Sequence, residues 1–415
     1  FIMSVVVQGT CGWSDQSLVD CGRFYPRKGN IPSVEKLSYF SRSGIFGCVE
    51  VDSTTYNLPL PETVSKWIQS TPSGFKFHFK AFGFLVNGGG KISSLPMDIR
   101  KQFNLDEMNK NSFISMSKVS IECRDAIWQR FHQALQPAVD EKKIGVVIFQ
   151  FQLNILPNDT ARLHIEHCAK MLDDTFIMAV EFRNRKWLEG DQLNLTVSWL
   201  SKLRSPKSIT LIACDDLEHE VYQKDSDQLG LPPGQSLVHL PVVIHPFLGN
   251  DLMYIRVHRR FGSQRILQDW EMELWKDRII NLLKPSSSSS GKNSFQGPIY
   301  FLWGTDFEDQ PMINALRLAE RLPPQLLPEG TNLSKFSMTS DNRLTMNNSI
   351  VNAFSKNTTS QQNNAIHNGQ KCPIPRDEKD KNEEGPALKS RRISHDLNQN
   401  NQTSGILKFF KPTTS

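Results

Sequence analysis

Three short β-branched runs carry charge at every second position: Glu50 and Asp52 in VEVD, Glu181 and Arg183 in VEFR, Arg256 and His258 in IRVH. In a strand, successive side chains point to opposite faces, so each pair shares a face. The intervening Val49, Val51, Val180, Phe182, Ile255 and Val257 are all apolar and fall on the other face. An apolar face packs against helices, and the charged face then turns inward. A charge held there must be paired or serve a site. The ends of the other runs add Trp13, Lys80, Gln150 with Gln152, Asp215 with Asp216, and Asp306. Interleaved acids and bases suit acid–base work on an anionic or polyol substrate. Lys80, Arg183 and Arg256 are fitted to clamp a phosphate. Glu50, Lys80, Glu181, Asp215 and His258 are the candidate catalytic groups, and Trp13, Asp52 and Gln152, with Arg183 and Arg256, the candidate substrate contacts. Glu50, Glu181 and Asp215 could alternatively hold a hard divalent cation, and no other cofactor is expected. The opposing expectation is a structural ion-pair network that plugs the interior.

Other chemistries are poorly supported. There is no G-x-S-x-G, H-E-x-x-H or P-loop. His164 and His167, three apart in LHIEHC, read as the outer face of a helix. A multi-zinc nuclease needs several histidines at strand ends, and only His258 is at one. Seven cysteines without a C-x-x-C give neither a disulfide framework nor a four-cysteine zinc site, and favour a reducing compartment. No apolar run nears 18 residues, so no membrane span is expected, and the first residues do not resemble a secretory leader.

Eight runs read as strands: 5–10, 48–52, 76–81, 144–151, 176–182, 209–214, 252–258 and 298–303. Amphipathic stretches at 34–40, 62–68, 124–140 and 269–283 read as helices between them. Strands alternating with helices imply right-handed βαβ units and parallel pairing. Eight units in residues 1–330 predict an α/β fold of the (β/α)8 TIM-like barrel type, with its site at the C-terminal strand ends. An open doubly wound sheet is the alternative, and GTCGWSD is a poor match to its Gly-rich turn. Residues 82–122 and 215–250 read as long loops at the same end. The net charge of +5 lies wholly beyond residue 330: residues 331–415 hold 12 basic and 7 acidic side chains, and residues 1–330 hold 36 of each. Asn, Gln, Ser and Thr dominate 331–415, which predicts a disordered C-terminal tail.

Several strings resemble one family in the right order: GTCGWSD, FYP, VEVDSTTYNLP, GFKFHFKA, FQFQLN, VEFRNRKWL, YIRVHRR and NALRLAERL. Over residues 5–323 the chain is similar to the domain of unknown function 72 family, which has a TIM-like fold and no settled activity. The resemblance implies family-typical polar positions at Glu50, Ser53, Tyr56, Lys80, Gln152, Glu181, Arg183, Trp187, Asp215, Arg256 and His258, and it adds Tyr56 to the candidate substrate contacts. The chain departs from that pattern at Arg259, usually glycine, at Asn87, usually histidine, and at LWGTD (302–306), where an Asn-Asn pair is typical.

The tail ends in TSGILKFFKP. Its Ile406, Phe409 and Phe410 match the apolar anchors of a sliding-clamp interacting motif, with Thr403 in the slot usually held by glutamine. KSRRIS (389–394) resembles a short nuclear-import signal. The expected function is therefore a hydrolase or lyase acting on a phosphorylated or nucleic-acid-derived substrate, recruited to a DNA sliding clamp and located in the nucleus, the cytoplasm or both. The alternative is a non-enzymatic ligand-binding or adaptor barrel.

Overall fold

The β-branched runs form strands because both of their faces are covered. Covered strands read as near-continuous apolar runs, and IGVVIFQF is the longest of them. The computed structural model describes residues 5–25, 31–203, 209–217, 238–244, 252–258, 265–284, 295–339 and 343–346. In chain order the elements are β1 (Val6–Thr10), α1 (Gln16–Cys21), α2 (Ser33–Ser41), β2 (Cys48–Val51), α3 (Pro61–Gln69), β3 (Lys76–Lys80), α4 (Gly83–Val86), β4 (Gly89–Lys91), α5 (Met97–Gln102), β5 (Phe113–Ser115), α6 (Ile121–Asp140), β6 (Ile144–Phe151), α7 (Asp159–Met171), β7 (Ile177–Phe182), α8 (Gly190–Leu200), β8 (Thr210–Leu211), β9 (Ala213–Leu217), β10 (Val238–Leu240), β11 (Met253–Val257), α9 (Asp269–Leu283), β12 (Ile299–Trp303), α10 (Gln310–Arg321), β13 (Phe336–Met338) and β14 (Leu344–Met346).

All eight expected strands are present, in an α/β fold with parallel sheets. One sheet runs β2-β3-β6-β7-β8 and the other β1-β12-β11-β9-β10. Every pairing in them is parallel except β9 with β10. The sixth expected strand is divided into β8 and β9. Its first part pairs with β7, its second with β11, and Ile212 between them donates to the Val180 carbonyl at 2.9 Å. At the other junction Gly47 N–H donates to the Gln8 carbonyl at 3.0 Å. A Cβ on Gly9 would lie 2.5 Å from the Cys48 carbonyl oxygen, so only glycine allows β1 this close to β2.

The strand alternation is realised as two apolar clusters. Val49, Val51, Val180, Phe182, Ile255 and Val257 pack with helix residues such as Leu37, Val64 and Ile127. Cys48, Val146, Ile148, Ala179, Ile212, Tyr254 and Leu302 form the second cluster on the opposite strand face. His78 lies in that second layer. Its ring meets Tyr254 and Tyr300 edge-on at 4.9 and 4.4 Å, and its Nδ1 accepts from Val146 N–H at 3.1 Å. Burial, with the nearby Lys76, lowers its pKa to about 3, so the ring is neutral. A Cβ on Gly145 would stand 2.2 Å from His78 Nδ1. The helices are amphipathic in the ordinary way. α6 buries Cys123, Ile127, Trp128, Phe131, Ala134, Leu135 and Ala138 at spacings of one to four residues, and Ser120 caps it by accepting from Cys123 N–H. No helix among the described residues is long and apolar enough to cross a membrane.

Two expectations are corrected. Residues 82–122 are a folded excursion, with the antiparallel pair β4–β5 and the helices α4 and α5. The GGG run at 88–90 allows close approach within it: Gly89 has φ +148°, and a Cβ there would fall 2.4 Å from the Ile114 carbonyl oxygen. The packed body also passes the expected boundary at residue 330. The β13–β14 hairpin buries Phe336 and Leu344, stacks Phe336 on Phe24, and Leu344 N–H donates to Asp309 Oδ2 at 2.9 Å. Three-residue strands are too short to show an alternation in a polar sequence. The nuclear-import and clamp-docking segments (389–394 and 403–410) lie outside the described residues.

Candidate active site

Arg256 is the centre of the polar cluster. It stands on β11, two residues beyond Tyr254 of the second apolar cluster, so the same inward parity carries it past the apolar layer. Its guanidinium lies between two fully buried carboxyl groups. It donates to Glu50 Oε1 at 2.8 Å and to Glu181 Oε2. It also reaches Gln150 Oε1 at 3.3 Å and Cys11 Sγ at 3.6 Å, and Tyr254 Oη donates to Glu50 Oε2 at 3.1 Å. β2, β6, β7 and β11 thus each deliver a residue from the inward face near the C-terminal strand end.

A second cation extends the cluster toward solvent. Arg183, just past β7, donates to Glu181 Oε1 at 3.0 Å and to Asp216 Oδ2 at 2.7 Å. The same Nη1 lies 3.2 Å from His258 Nε2 and 3.7 Å from Cys214 Sγ. Lys80 is the third cation, 3.3 Å from Asp52 Oδ1 and 3.9 Å from Glu50 Oε1. Thr54 Oγ1 donates to the Lys80 carbonyl at 2.6 Å and so holds the 52–55 turn against β3.

These neighbours set the protonation states. Burial raises the Glu50 carboxyl well above its ordinary value, because Arg256 is shared with Glu181 and Asp52 adds repulsion. Burial also pushes Asp52 upward, but the hydrogen bond from Glu50 and the charges of Lys80 and Arg256 outweigh it, and Asp52 is lowered. Glu181 is buried too, yet Arg256, His258 and Arg183 hold it well below the usual carboxylate range. Burial and Arg256 lower His258 against the pull of Glu181, which leaves a neutral imidazole at neutral pH. Lys80 stays charged, because Asp52 and Glu50 override burial and Arg256. Burial raises the thiols of Cys11 and Cys214 well above their usual value, so neither is a thiolate nucleophile. Three cations thus face the carboxyl groups of Glu50, Asp52, Glu181 and Asp216, and of the two fully buried ones Glu50 is pushed toward its protonated form and Glu181 away from it.

Exposure divides the cluster into two layers. Glu50 and Glu181 have no exposed side-chain surface and Arg256 only 2%. Asp52 is 37% exposed, Arg183 20%, His258 17% and Lys80 15%. Asp216 is 11% exposed, so the described cluster has an outer layer of Asp52, Lys80, Arg183, Asp216 and His258 over the buried Glu50, Glu181 and Arg256.

Several residues expected from sequence stand elsewhere. Asp215 is turned to the helix side, where it accepts from Trp275 Nε1 at 2.8 Å, and its neighbour Asp216 enters the cluster instead. The division of β8 from β9 precedes both residues, and the strand parity beyond it favours 214 and 216. Trp13 is buried; its Nε1 donates to the Ser33 carbonyl at 3.0 Å and its ring edge meets Trp67. Trp187 stacks on Phe182 at 4.4 Å and donates to the Ile155 carbonyl. Gln152 is exposed beyond β6, and it is Gln150 that reaches Arg256. Tyr56 is 70% exposed and joins no described part of the cluster. Sequence reading missed Tyr254, Cys11 and Cys214. Tyr254 and Cys214 share the inward parity that marked their neighbours, so the same alternation could have found them.

The donor atoms of Glu181, Cys214 and His258 lie within 4.8 Å of one another, a spacing that could hold a metal ion. Arg183 Nη1 is within 3.7 Å of all three, so a guanidinium nitrogen already occupies the position a cation would take. Likewise Arg256 fills the space between Glu50 and Glu181. The donor set fits an arginine cluster better than a divalent ion.

An α/β fold of parallel strands with acids and bases converging at the strand ends defines a class of protein built around a polar strand-end site. The chain matches the family described as Protein of unknown function DUF72 over residues 7–332, and it belongs to that family. It is 24% identical over 192 residues to UPF0759 protein YunF of Bacillus subtilis (strain 168), a stretch that covers 46% of this chain and 55% of that protein. A crystal structure of a DUF72 family protein from Enterococcus faecalis V583 aligns with a TM-score of 0.51 at 15% identity, over 77% of this chain and 95% of that one. One from Thermotoga maritima MSB8 aligns at 0.49 and 17% identity, over 76% and 98%.

Proposed function

We propose that the two sheets close into one (β/α)8 barrel and that the strand-end cluster is a catalytic site for an anionic substrate, of the hydrolase or lyase class. Closure is supported by the contacts at both sheet junctions, Gly47 to Gln8 and Ile212 to Val180. The observation that carries the function is the Asp52–Lys80 pair. A lowered carboxylate and a charged ammonium stand 3.3 Å apart, both side chains reach solvent, and both lean on the buried Glu50–Arg256–Glu181 layer. In this reading Asp52 accepts a proton from the substrate or from an attacking water. Lys80 and Arg183 hold the substrate's anionic group. The neutral His258 exchanges the second proton. Glu50, Glu181 and Arg256 are positioning residues. Phosphorylated small molecules and nucleic-acid fragments are the substrate classes to which such a clamp is suited. Asp52→Asn and Lys80→Met should each lower turnover by two orders of magnitude or more in the purified full chain, with unfolding midpoints unchanged.

A second reading has its own observation. Both arginines are each engaged by two of the protein's own carboxyl groups, which is also how a structural plug or an adaptor barrel would be built. Unchanged ligand binding in Asp52→Asn and Lys80→Met would favour it. In either case we propose that residues 403–410 recruit the protein to a DNA sliding clamp through Ile406, Phe409 and Phe410, with Thr403 in the polar slot, and that the protein works in the nucleus, the cytoplasm or both. The support is the sequence match alone.

A further inference from the structure

A cavity of about 80 Å³ opens between α6, α7 and the segment after α4, and it shares no residue with the strand-end cluster. A single water needs roughly 10–15 Å³ of such space, so several waters or one small molecule fit. Arg124 and Trp128 line it from α6, one turn apart. His164 and His167 line it from α7, with Leu85 and Met116 behind. The polar groups are donors. Trp128 is 3% exposed, and its Nε1 has no hydrogen-bond partner; the buried Nε of Arg124 has none either. Among the described residues, no ion pair involves Arg124. His164 Nε2 is 2.8 Å from the Val86 carbonyl oxygen, which makes that nitrogen a donor. His167 is exposed and lies beside Arg124; partial desolvation first, and then the Arg124 charge, hold its imidazole's pKa down. A buried indole N–H and a buried guanidinium Nε–H are costly unless something accepts from them, and among the described residues neither has an acceptor.

We propose that this cavity binds a small oxyanion, held by Arg124, Trp128 and His167. Its size admits a phosphate or a short carboxylate and excludes a nucleotide.

The test is calorimetric titration of the full chain with orthophosphate and, separately, with acetate at neutral pH. Saturable one-to-one binding of at least one of them is expected: phosphate alone indicates a tetrahedral ligand, acetate alone a carboxylate. Arg124→Gln and Trp128→Phe should each weaken it by about ten-fold or more, the usual effect of losing a hydrogen bond to a charged group. Trp128→Phe keeps an aromatic ring against Phe131 and removes the donor, and circular dichroism checks that the fold survives. The proposal is overturned if neither anion saturates, if Arg124→Gln and Trp128→Phe bind like the wild type, or if Lys80→Met abolishes binding, since the anion would then be at the strand ends.

Discussion

Replacing Arg256 with methionine removes the one cation that serves two fully buried carboxyl groups, Glu50 and Glu181. Methionine roughly fills the volume, so the loss is mainly electrostatic. Breaking a buried pair by deleting one partner costs about 3–5 kcal/mol, because the other charge is stranded. Arg183 stays on Glu181 and offsets part of this, so the lower half of that range is expected at pH 8. The pH dependence is the sharper signature. In the wild type Glu181 is held well below its ordinary value. It contributes stability that is present above the unfolded pKa of about 4.3 and is lost as pH falls through the folded pKa. In the variant its pKa rises. Its contribution is then present below about 4.3 and is lost as pH rises through the new, higher folded value. The gap between the two proteins should therefore widen from pH 5 to pH 8. Urea unfolding at both pH values measures it, and Glu181→Gln in the Arg256→Met background should recover part of the loss at pH 8. An equal gap at pH 5 and pH 8, or an Arg256→Met protein as stable as the wild type, refutes the reasoning.

Three further outcomes follow from the same geometry. Glu50→Gln replaces a carboxyl that burial pushes toward its protonated form and should cost less than Glu181→Gln, which removes the charge that two arginines share and should cost about 3 kcal/mol by urea unfolding. Gly145→Ala would place a methyl 2.2 Å from His78 Nδ1, displace the ring and strand the Val146 N–H, a loss of about 1–3 kcal/mol readable as a lower Tm. A peptide of residues 396–415 should bind a sliding clamp with micromolar affinity, about −8 kcal/mol, and lose it when Phe409 and Phe410 are both alanine; calorimetry on the wild-type peptide decides this.

Much of the site was legible because strand alternation is a strict geometric rule. Glu50, Glu181 and Arg256 fall on one face with period two, and the apolar partners between them marked the other. Exposure follows no such rule, so the complete burial of Glu50 and Glu181 beneath Asp52 and His258 was not legible in the strand pattern. Asp215 shows where the argument fails: after the division at Ile212, parity favours its neighbour, and the Trp275 indole claims Asp215 from outside. Trp13 was chosen for its place at a strand end and Trp187 for the family resemblance, but each indole N–H is spent on a distant backbone carbonyl, a pairing that no local spacing reveals. The β4–β5 pair and the β13–β14 hairpin were missed for another reason. Their strands are three residues long, and what fixes them is a tertiary contact: Phe336 on Phe24 in one case, Gly89 against Ile114 in the other.

The most direct test of the proposed site is comparative turnover. Purified wild-type protein, Asp52→Asn and Lys80→Met would each be incubated with one extract of small metabolites and nucleic-acid fragments, and the products compared by mass spectrometry. The account predicts at least one anionic compound consumed by the wild type and left intact by both variants, all three having the same unfolding midpoint. Identical metabolite profiles for the three proteins would contradict it.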